Sequence, residues 1–248
     1  LIYCVGKDKF VFKKEFLLYH DSAWYDGINN NIGEKESMQK IQKPKRMKYS
    51  KEDLIFEEAI MDDPYLEGAL FENTMITDQC IDRLYLNKCY FKNVIFESCQ
   101  FDRIDLTDTT FDNCDLSHLK LMDGTIHRCE FINCRLTGSD FSNSSIQNTL
   151  FKDNTARYAN FSYSKFKSVN FINNQMMNSS FNECSYRKVS YDTCNLSESE
   201  FINTSLATLD FSTCEIHQVI IPMEQLKGLT VSTEQAVQLA QLMGLKIV

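Results

Sequence analysis

The chain has 248 residues, enough for one long domain or two small ones and too few for a large multidomain enzyme. Hydrophobic residues make up 43% and charged residues 24%, which carries no disorder signal, and only 8 Gly and 3 Pro argue against a loop-rich enzyme built on glycine turns. A net charge of −8 and a pI of about 5.1 speak against phosphate-backbone binding, so basic partners are expected and direct nucleic-acid binding is not. No run of 18 apolar residues occurs, and Leu1-Ile-Tyr-Cys-Val5 leads into Gly-Lys-Asp-Lys rather than a secretory core. A cytoplasmic chain with no membrane contact is expected.

Residues 1–53 form an N-terminal extension. Leu1 to Phe12 predict a short hairpin turning at Gly6-Lys-Asp8, and Trp24, the only tryptophan, lies in a stretch without clear period. Lys40 to Lys51 is basic, with Lys43, Lys45, Arg46 and Lys48. Such a run reads either as a solvated linker or as a segment docking onto acidic surface further along.

From Phe56 to Ile221 every fifth residue is apolar, 34 consecutive positions without an insertion, and all 15 Phe residues after position 50 fall on this register. A period of five fits neither a helix nor a strand, so the chain must turn repeatedly. Two places before these centres sit mostly small or apolar side chains, including Cys89, Cys99, Cys114, Cys129, Cys134, Cys184, Cys194 and Cys214. Eight of the ten cysteines thus share one interior position, which predicts packed reduced thiols rather than disulfides or a metal site; zinc-type CxxC spacing is absent.

Segments such as Cys114-Asp-Leu-Ser-His118, Ser139-Asp-Phe-Ser-Asn143, Ala159-Asn-Phe-Ser-Tyr163 and Ser199-Glu-Phe-Ile-Asn203 closely resemble the pentapeptide-repeat family pattern of Ala-(Asp/Asn)-Leu-x-x. The resemblance covers residues 54–221. It implies an all-β solenoid, a right-handed quadrilateral parallel β-helix with four pentapeptides per coil. The sequence supports that coil independently, because every fourth centre gives Phe71, Phe91, Phe111, Phe131, Phe151, Phe171, Tyr191 and Phe211. Two places after them stand Asn73, Asn93, Asn113, Asn133, Asp153, Asn173, Thr193 and Thr213, a file suited to left-handed turns and side-chain ladders. Eight and a half coils spaced by about 4.8 Å predict a rod roughly 41 Å long with two ends to cap.

At the N-terminal end, the position before the centre is apolar nine times in succession: Ile55, Ile60, Tyr65, Leu70, Met75, Cys80, Tyr85, Tyr90 and Ile95. Residues 1–50 are expected to cover part of this girdle; the alternative is a partner-binding surface. At the other end, residues 222–248 change period. Ser232-Thr-Glu-Gln235 predicts a capping box opening a helix over 233–243, stopped at Gly244. Ala236, Val237, Leu239, Ala240, Leu242 and Met243 are its candidate capping and dimerisation residues. Leu226-Lys-Gly-Leu-Thr-Val231 with the following helix also resembles the tail of Qnr-type gyrase-protecting pentapeptide proteins, a resemblance that implies a homodimer through the C-terminal helix.

His20, His118, His127 and His217 are dispersed without ligand spacing, and no phosphate-binding glycine loop or nucleophile elbow occurs. The chain is therefore expected to be no enzyme, with no catalytic residues, cofactor or metal. Residues 54–221 hold 24 acidic and 13 basic residues, and two adjacent faces of the expected rod carry most of the excess. Those faces include Glu57, Glu58, Asp62, Asp63, Asp78, Asp82, Glu97, Asp102, Asp115, Asp123 and Asp140. Regular carboxylates on a rigid rod can imitate duplex DNA and steer it into a basic groove, although simple solubility explains surface acids equally. A further face, with Lys165, Lys167, Arg187 and Lys188, is basic. The Qnr-type resemblance implies a DNA-mimicking binder of DNA gyrase or topoisomerase IV, modulating the enzyme or protecting it from quinolones or toxins. The register here lacks the loops that break it in Gram-negative relatives, which makes binding a stronger expectation than drug protection. The alternative is a cytosolic protein-interaction scaffold without a topoisomerase role.

Overall fold

In the computed structural model, every residue two places after a centre from Gly68 to Asn203 has a left-handed backbone, with φ between 51° and 69°. The chain therefore turns after each short extended stretch, and four turns bring it back over itself. The structure describes residues 39–45, 49, 54–242 and 244–246, within one compact unit, Ser37–Val248. The hairpin expected at Leu1 to Phe12, Trp24, Arg46, Lys48, Lys51, Met243 and the side chain of Leu242 lie outside the described residues.

Strands Tyr65–Glu67, Leu70–Glu72, Met75–Thr77 and Cys80–Asp82 make the first coil, and each pairs in parallel with the strand 20 residues later. The expected coil of four pentapeptides is thus observed as a parallel β-solenoid. The columns that begin at Met75 and Cys80 run through eight rungs to Glu215 and Ile220. Near the middle, the first two faces fuse across their corner into the longer strands Ser145–Lys152, Lys165–Ile172 and Ser185–Asp192.

Asparagine, aspartate and glycine suit the left-handed corners because a short polar side chain, or none, tolerates positive φ. Thr193 occupies such a corner at φ 57° although it is β-branched and exposed. Thr193→Asn is expected to stabilise the protein by about 1 kcal/mol, since the left-handed conformation costs an ordinary residue that much. A thermal melt reads it, and an unchanged or lowered Tm would contradict the corner argument.

Inside, the Phe column becomes a stack. Rings 71, 91, 111, 131, 151, 171 and 191 lie 4.7–5.1 Å apart with planes tilted 13° or less. A second stack, Phe141, Phe161, Phe181 and Phe201, repeats at 5.0–5.1 Å and meets the first edge-on, as in the 90° contact of Phe131 with Phe141.

The small interior position has its own physical cause. The ladder pairs most backbone groups but leaves the amide two places before each centre and the carbonyl of each centre pointing inward, where an unpaired group is costly. Two devices satisfy them. At some corners a β-turn joins them directly, as in Leu119 N to Leu116 O at 3.1 Å. Elsewhere the small polar residue of the next coil bridges both: Ser144 Oγ accepts from Gly124 N at 3.0 Å and donates to Leu121 O at 3.1 Å. Asn154 does the same, accepting from Cys134 N at 2.7 Å and donating to Phe131 O at 3.0 Å. The cysteines belong to this set; Cys114 Sγ lies 3.4 Å from Phe91 O and Cys129 Sγ 3.5 Å from Leu106 O. All nine described cysteines are free thiols. Burial pushes Cys89 up to about 11 and Cys129 and Cys184 up to about 12, which keeps them protonated and unreactive.

The ends differ from the sequence expectation in instructive ways. The repeat register continues back to Phe56, but helix α1, Phe56–Ala59, stands where the first half coil was expected, so the solenoid begins at Tyr65. Phe56 is buried with its ring 5.5 Å from that of Phe71 and 6.2 Å from that of Phe101. One helical turn thus closes the open core at this end. At the other end helix α2, Thr233–Leu242, matches the expected span within one residue. Its capping box is present: Ser232 N donates to Gln235 Oε1 at 2.8 Å, and Gln235 N to Ser232 Oγ at 3.3 Å. The residues turned onto the last coil are Gln235, which is buried, and Leu239, which packs on the core; Ala236 and Val237 are exposed and Ala240 is half-buried.

Candidate protein-binding surface

Three surface features follow from this geometry: an acidic set near the N-terminal end, a strap along one corner, and a basic corner. In the coil, a residue's closest outward neighbours stand 20 or 21 positions away, so charge pairing follows the coil and not the sequence. Lys88 pairs with Glu67 at 2.6 Å, Lys92 with Glu72 at 3.6 Å, Arg128 with Asp108 at 2.6 Å and Arg135 with Asp115 at 3.1 Å. Arg103 closes on Asp82 in the same way. The Arg103 guanidinium holds the Asp82 carboxyl below its usual range, and the Lys88 ammonium does the same for Glu67.

This pairing divides the eleven expected acidic-face residues. Asp82 and Asp115 are neutralised by their own cations. Asp140 accepts from Ser142 N at 2.9 Å and Asn160 Nδ2 at 3.1 Å, and Asp102 accepts from Gln100. Glu57, Glu58, Asp62, Asp63, Asp78, Glu97 and Asp123 have no side-chain hydrogen bond or ion pair among the described residues, and all but the half-buried Glu57 are exposed. Six of these seven fall between residues 57 and 97: Glu57, Glu58, Asp62 and Asp63 on α1 and the turn after it, and Asp78 and Glu97 on the first two coils, while later coils carry further acids without a cation, such as the exposed Glu198.

The apolar girdle lies on the same coils and is only partly covered. Tyr90 is buried, with its ring centroid 5.8 Å from that of Tyr49 and its hydroxyl donating to Asp112 Oδ2 at 2.8 Å. Ile55, Tyr65, Met75, Tyr85 and Ile95 remain 42–53% exposed. The described part of the covering segment, residues 39–45, runs along the rod and not around it.

That strap, residues 39–45 with Tyr49, was not legible in the sequence as a defined path. The Gln39 carbonyl accepts from Asn170 Nδ2 at 2.8 Å, Gln42 N donates to Asn148 Oδ1 at 3.3 Å and Lys45 N to Asp108 Oδ1 at 2.9 Å. The anchors descend the solenoid from the coil of Asn170 to that of Tyr90, a chain laid along five coils and anchored on four of them. Those positions, Tyr90, Asp108, Asn148 and Asn170, are each less than 10% exposed, as are Thr110 and Glu130 on the same line. Of the two expectations for the basic run, docking is the one observed for residues 39–45, and the anchors are its backbone groups.

Asp108 is the charged anchor. Burial by itself would raise its carboxyl, but the Arg128 fork and the Lys45 amide outweigh burial and hold it below the ordinary carboxylate range. A carboxyl depressed by folding stabilises fully above its unfolded value, about pH 3.9, and loses that contribution as pH falls through its folded value. Asp108→Asn is therefore expected to flatten the acid limb of the Tm-against-pH curve below about pH 4 and to speed hydrogen exchange at Gln42 and Lys45. An unaltered acid limb would mean that Asp108 does not hold the strap.

The chain matches the family model described as pentapeptide repeats (8 copies) over residues 85–121 and that of the pentapeptide repeat region over residues 104–178. No curated protein matches it. Among solved structures, full-length QnrB1, a plasmid-mediated fluoroquinolone resistance protein, is 16% identical with a TM-score of 0.44, covering 71% of this chain and all of its own. HetL, a pentapeptide repeat protein involved in heterocyst differentiation regulation in the cyanobacterium Nostoc, is 8% identical with a TM-score of 0.28, covering 70% of this chain and 91% of its own. A pentapeptide repeat protein of the Arabidopsis thaliana thylakoid lumen is 19% identical with a TM-score of 0.33, covering 40% and 65%. Likenesses this weak transfer no role from one chain to another.

Proposed function

Since this chain is a pentapeptide-repeat protein, we propose that it works by binding rather than chemistry, as a DNA-mimicking ligand of a type II topoisomerase such as DNA gyrase or topoisomerase IV. The observation that carries this reading is the uncompensated carboxylate set of Glu57, Glu58, Asp62, Asp63, Asp78 and Glu97. In a fold where neighbouring coils supply cations to Glu67, Glu72, Asp82, Asp108 and Asp115, these acids are left open to an external cation. A basic groove shaped for duplex DNA offers such charges in quantity, and a rigid rod reaches it without ordering cost. In the cytoplasm such a ligand modulates the enzyme or shields it from quinolones or toxins. A second copy joins through α2, whose exposed Ala236 and Val237 face outward beside half-buried Ala240.

The exposed Tyr65, Met75, Tyr85 and Ile95 favour a second reading, a scaffold that docks an apolar partner with no topoisomerase role. Supercoiling by purified gyrase, with rising concentrations of the protein and with and without a fluoroquinolone, separates the two. The DNA mimic inhibits supercoiling or reduces cleavage complexes, and a charge-reversed Glu57→Lys/Glu58→Lys/Asp62→Lys/Asp63→Lys variant does neither. Full activity of that variant, or no effect of the wild type at micromolar concentration, moves the assignment to the scaffold.

A further inference from the structure

We propose that the basic corner of the solenoid binds the phosphate backbone of a single-stranded nucleic acid, with Tyr163 as a stacking platform for a base. Lys165 and Lys167 stand on strand Lys165–Ile172, and Arg187 and Lys188 on the adjoining strand Ser185–Asp192. Lys167 and Arg187 are register partners, so two cations face each other across neighbouring strands, an arrangement that destabilises a sheet. Elsewhere Lys88, Lys92, Arg103, Arg128 and Arg135 each meet a carboxylate on the preceding coil. Here the preceding coil offers Ser145 and Gln147 to Lys165 and Lys167, and Lys167 itself and Ser168 to Arg187 and Lys188, and the four cations are exposed with no ion pair among the described residues.

The strap adds to the same corner. Its anchors on Asn170 and Asn148 belong to strand Lys165–Ile172 and its neighbour Ser145–Lys152, which brings the exposed Lys40 and Lys43 beside the row. Tyr163 precedes Lys165 by two residues, is 60% exposed and holds φ 63°, where the matching corners one coil away are Asn143 and Glu183. A bulky ring at a left-handed corner gains no burial from the protein that would offset its strain. Cations in a row beside an exposed aromatic are what sequence-tolerant binding of a single strand requires. Lys165 and Lys167 lie two residues apart on an extended strand, roughly 6.6 Å, comparable to the separation of successive phosphates in an extended single strand. The expectation of no nucleic-acid contact came from a net charge of −8, which sums acidic and basic faces that point in different directions.

Fluorescence anisotropy of a labelled twelve-nucleotide oligo(dT), titrated with the full chain across a salt series, tests this. Four phosphates neutralised on a single strand give a log–log salt slope of about −2.8, and six, with the strap lysines, about −4.2. Lys167→Glu/Arg187→Glu is expected to weaken binding about tenfold or more, and Lys40→Gln/Lys43→Gln to reduce the slope by about 1.4. Tyr163→Ala is expected to weaken binding about 5- to 150-fold with the slope unchanged. All five positions are exposed, so melting curves should stay in place. Absence of binding at low salt, equal binding of polyglutamate, or affinity unmoved by these variants would overturn the proposal.

Discussion

Phe151→Ala is expected to cost the solenoid about 3–5 kcal/mol, the upper range for a buried aromatic, because its ring is the middle of the stack. Phe151 is 1% exposed, lies 4.8 Å from Phe131 and 5.0 Å from Phe171 face to face, and meets Phe141 and Phe161 edge-on at 90° and 85°. Truncation leaves a void that four rigid rings cannot fill by small rotations, so transfer and cavity costs add. Coils interact only with their neighbours, so a lesion at mid-rod also weakens the coupling between its halves. Phe211→Ala is the control: that ring has left the stack, meeting Tyr191 at 88°, and its loss uncouples only the last coil. Chemical denaturation should show a large loss for both buried rings, with a second transition for Phe151→Ala alone. A single transition for Phe151→Ala would mean that the middle of the stack does not couple the two halves.

Gln235→Leu, close in volume, is expected to cost about 1–3 kcal/mol by orphaning the buried Cys214 carbonyl. The Gln235 amide donates to Phe211 O at 2.8 Å and Cys214 O at 2.6 Å while its oxygen accepts from Ser232 N. The Phe211 carbonyl also accepts from Cys214 N at 2.8 Å, but the Cys214 carbonyl, whose counterparts at Cys114 and Cys134 accept from an amide of the following coil, has Gln235 in place of that coil. Its loss should undock α2 before the solenoid melts, seen as fast hydrogen exchange over 233–242 at temperatures where residues 140–200 stay protected. Simultaneous loss of both would place the cap inside the main cooperative unit.

The period of five carried most of the fold, since centres, interior thiols and the coil of four all follow from it. What it missed has physical reasons. Phe56 keeps the register but lies in a helix, because the open core needs a lid there and a lone strand has no lower neighbour to pair with. Ala236 fits an apolar helical face, yet the polar Gln235 turns inward, because the end of a solenoid presents carbonyls as well as rings. The acidic faces were legible as sums of charge, while their division into paired and open carboxylates depends on cations 20 or 21 residues later. Arg103, Arg128 and Arg135 could have been found by reading the sequence at that offset. The strap could not, because backbone anchors at Gln39, Gln42 and Lys45 leave no pattern in side-chain type.

The binding claim is tested most directly by displacement. A labelled DNA duplex bound to gyrase is titrated with the protein at low and at moderate salt. Competitive release that weakens steeply with salt, and is lost when Glu57, Glu58, Asp62 and Asp63 are replaced by lysine, is the expected result. A protein that binds gyrase without displacing the duplex, or displaces it equally at both salt concentrations, would contradict DNA mimicry by the acidic N-terminal end of the solenoid.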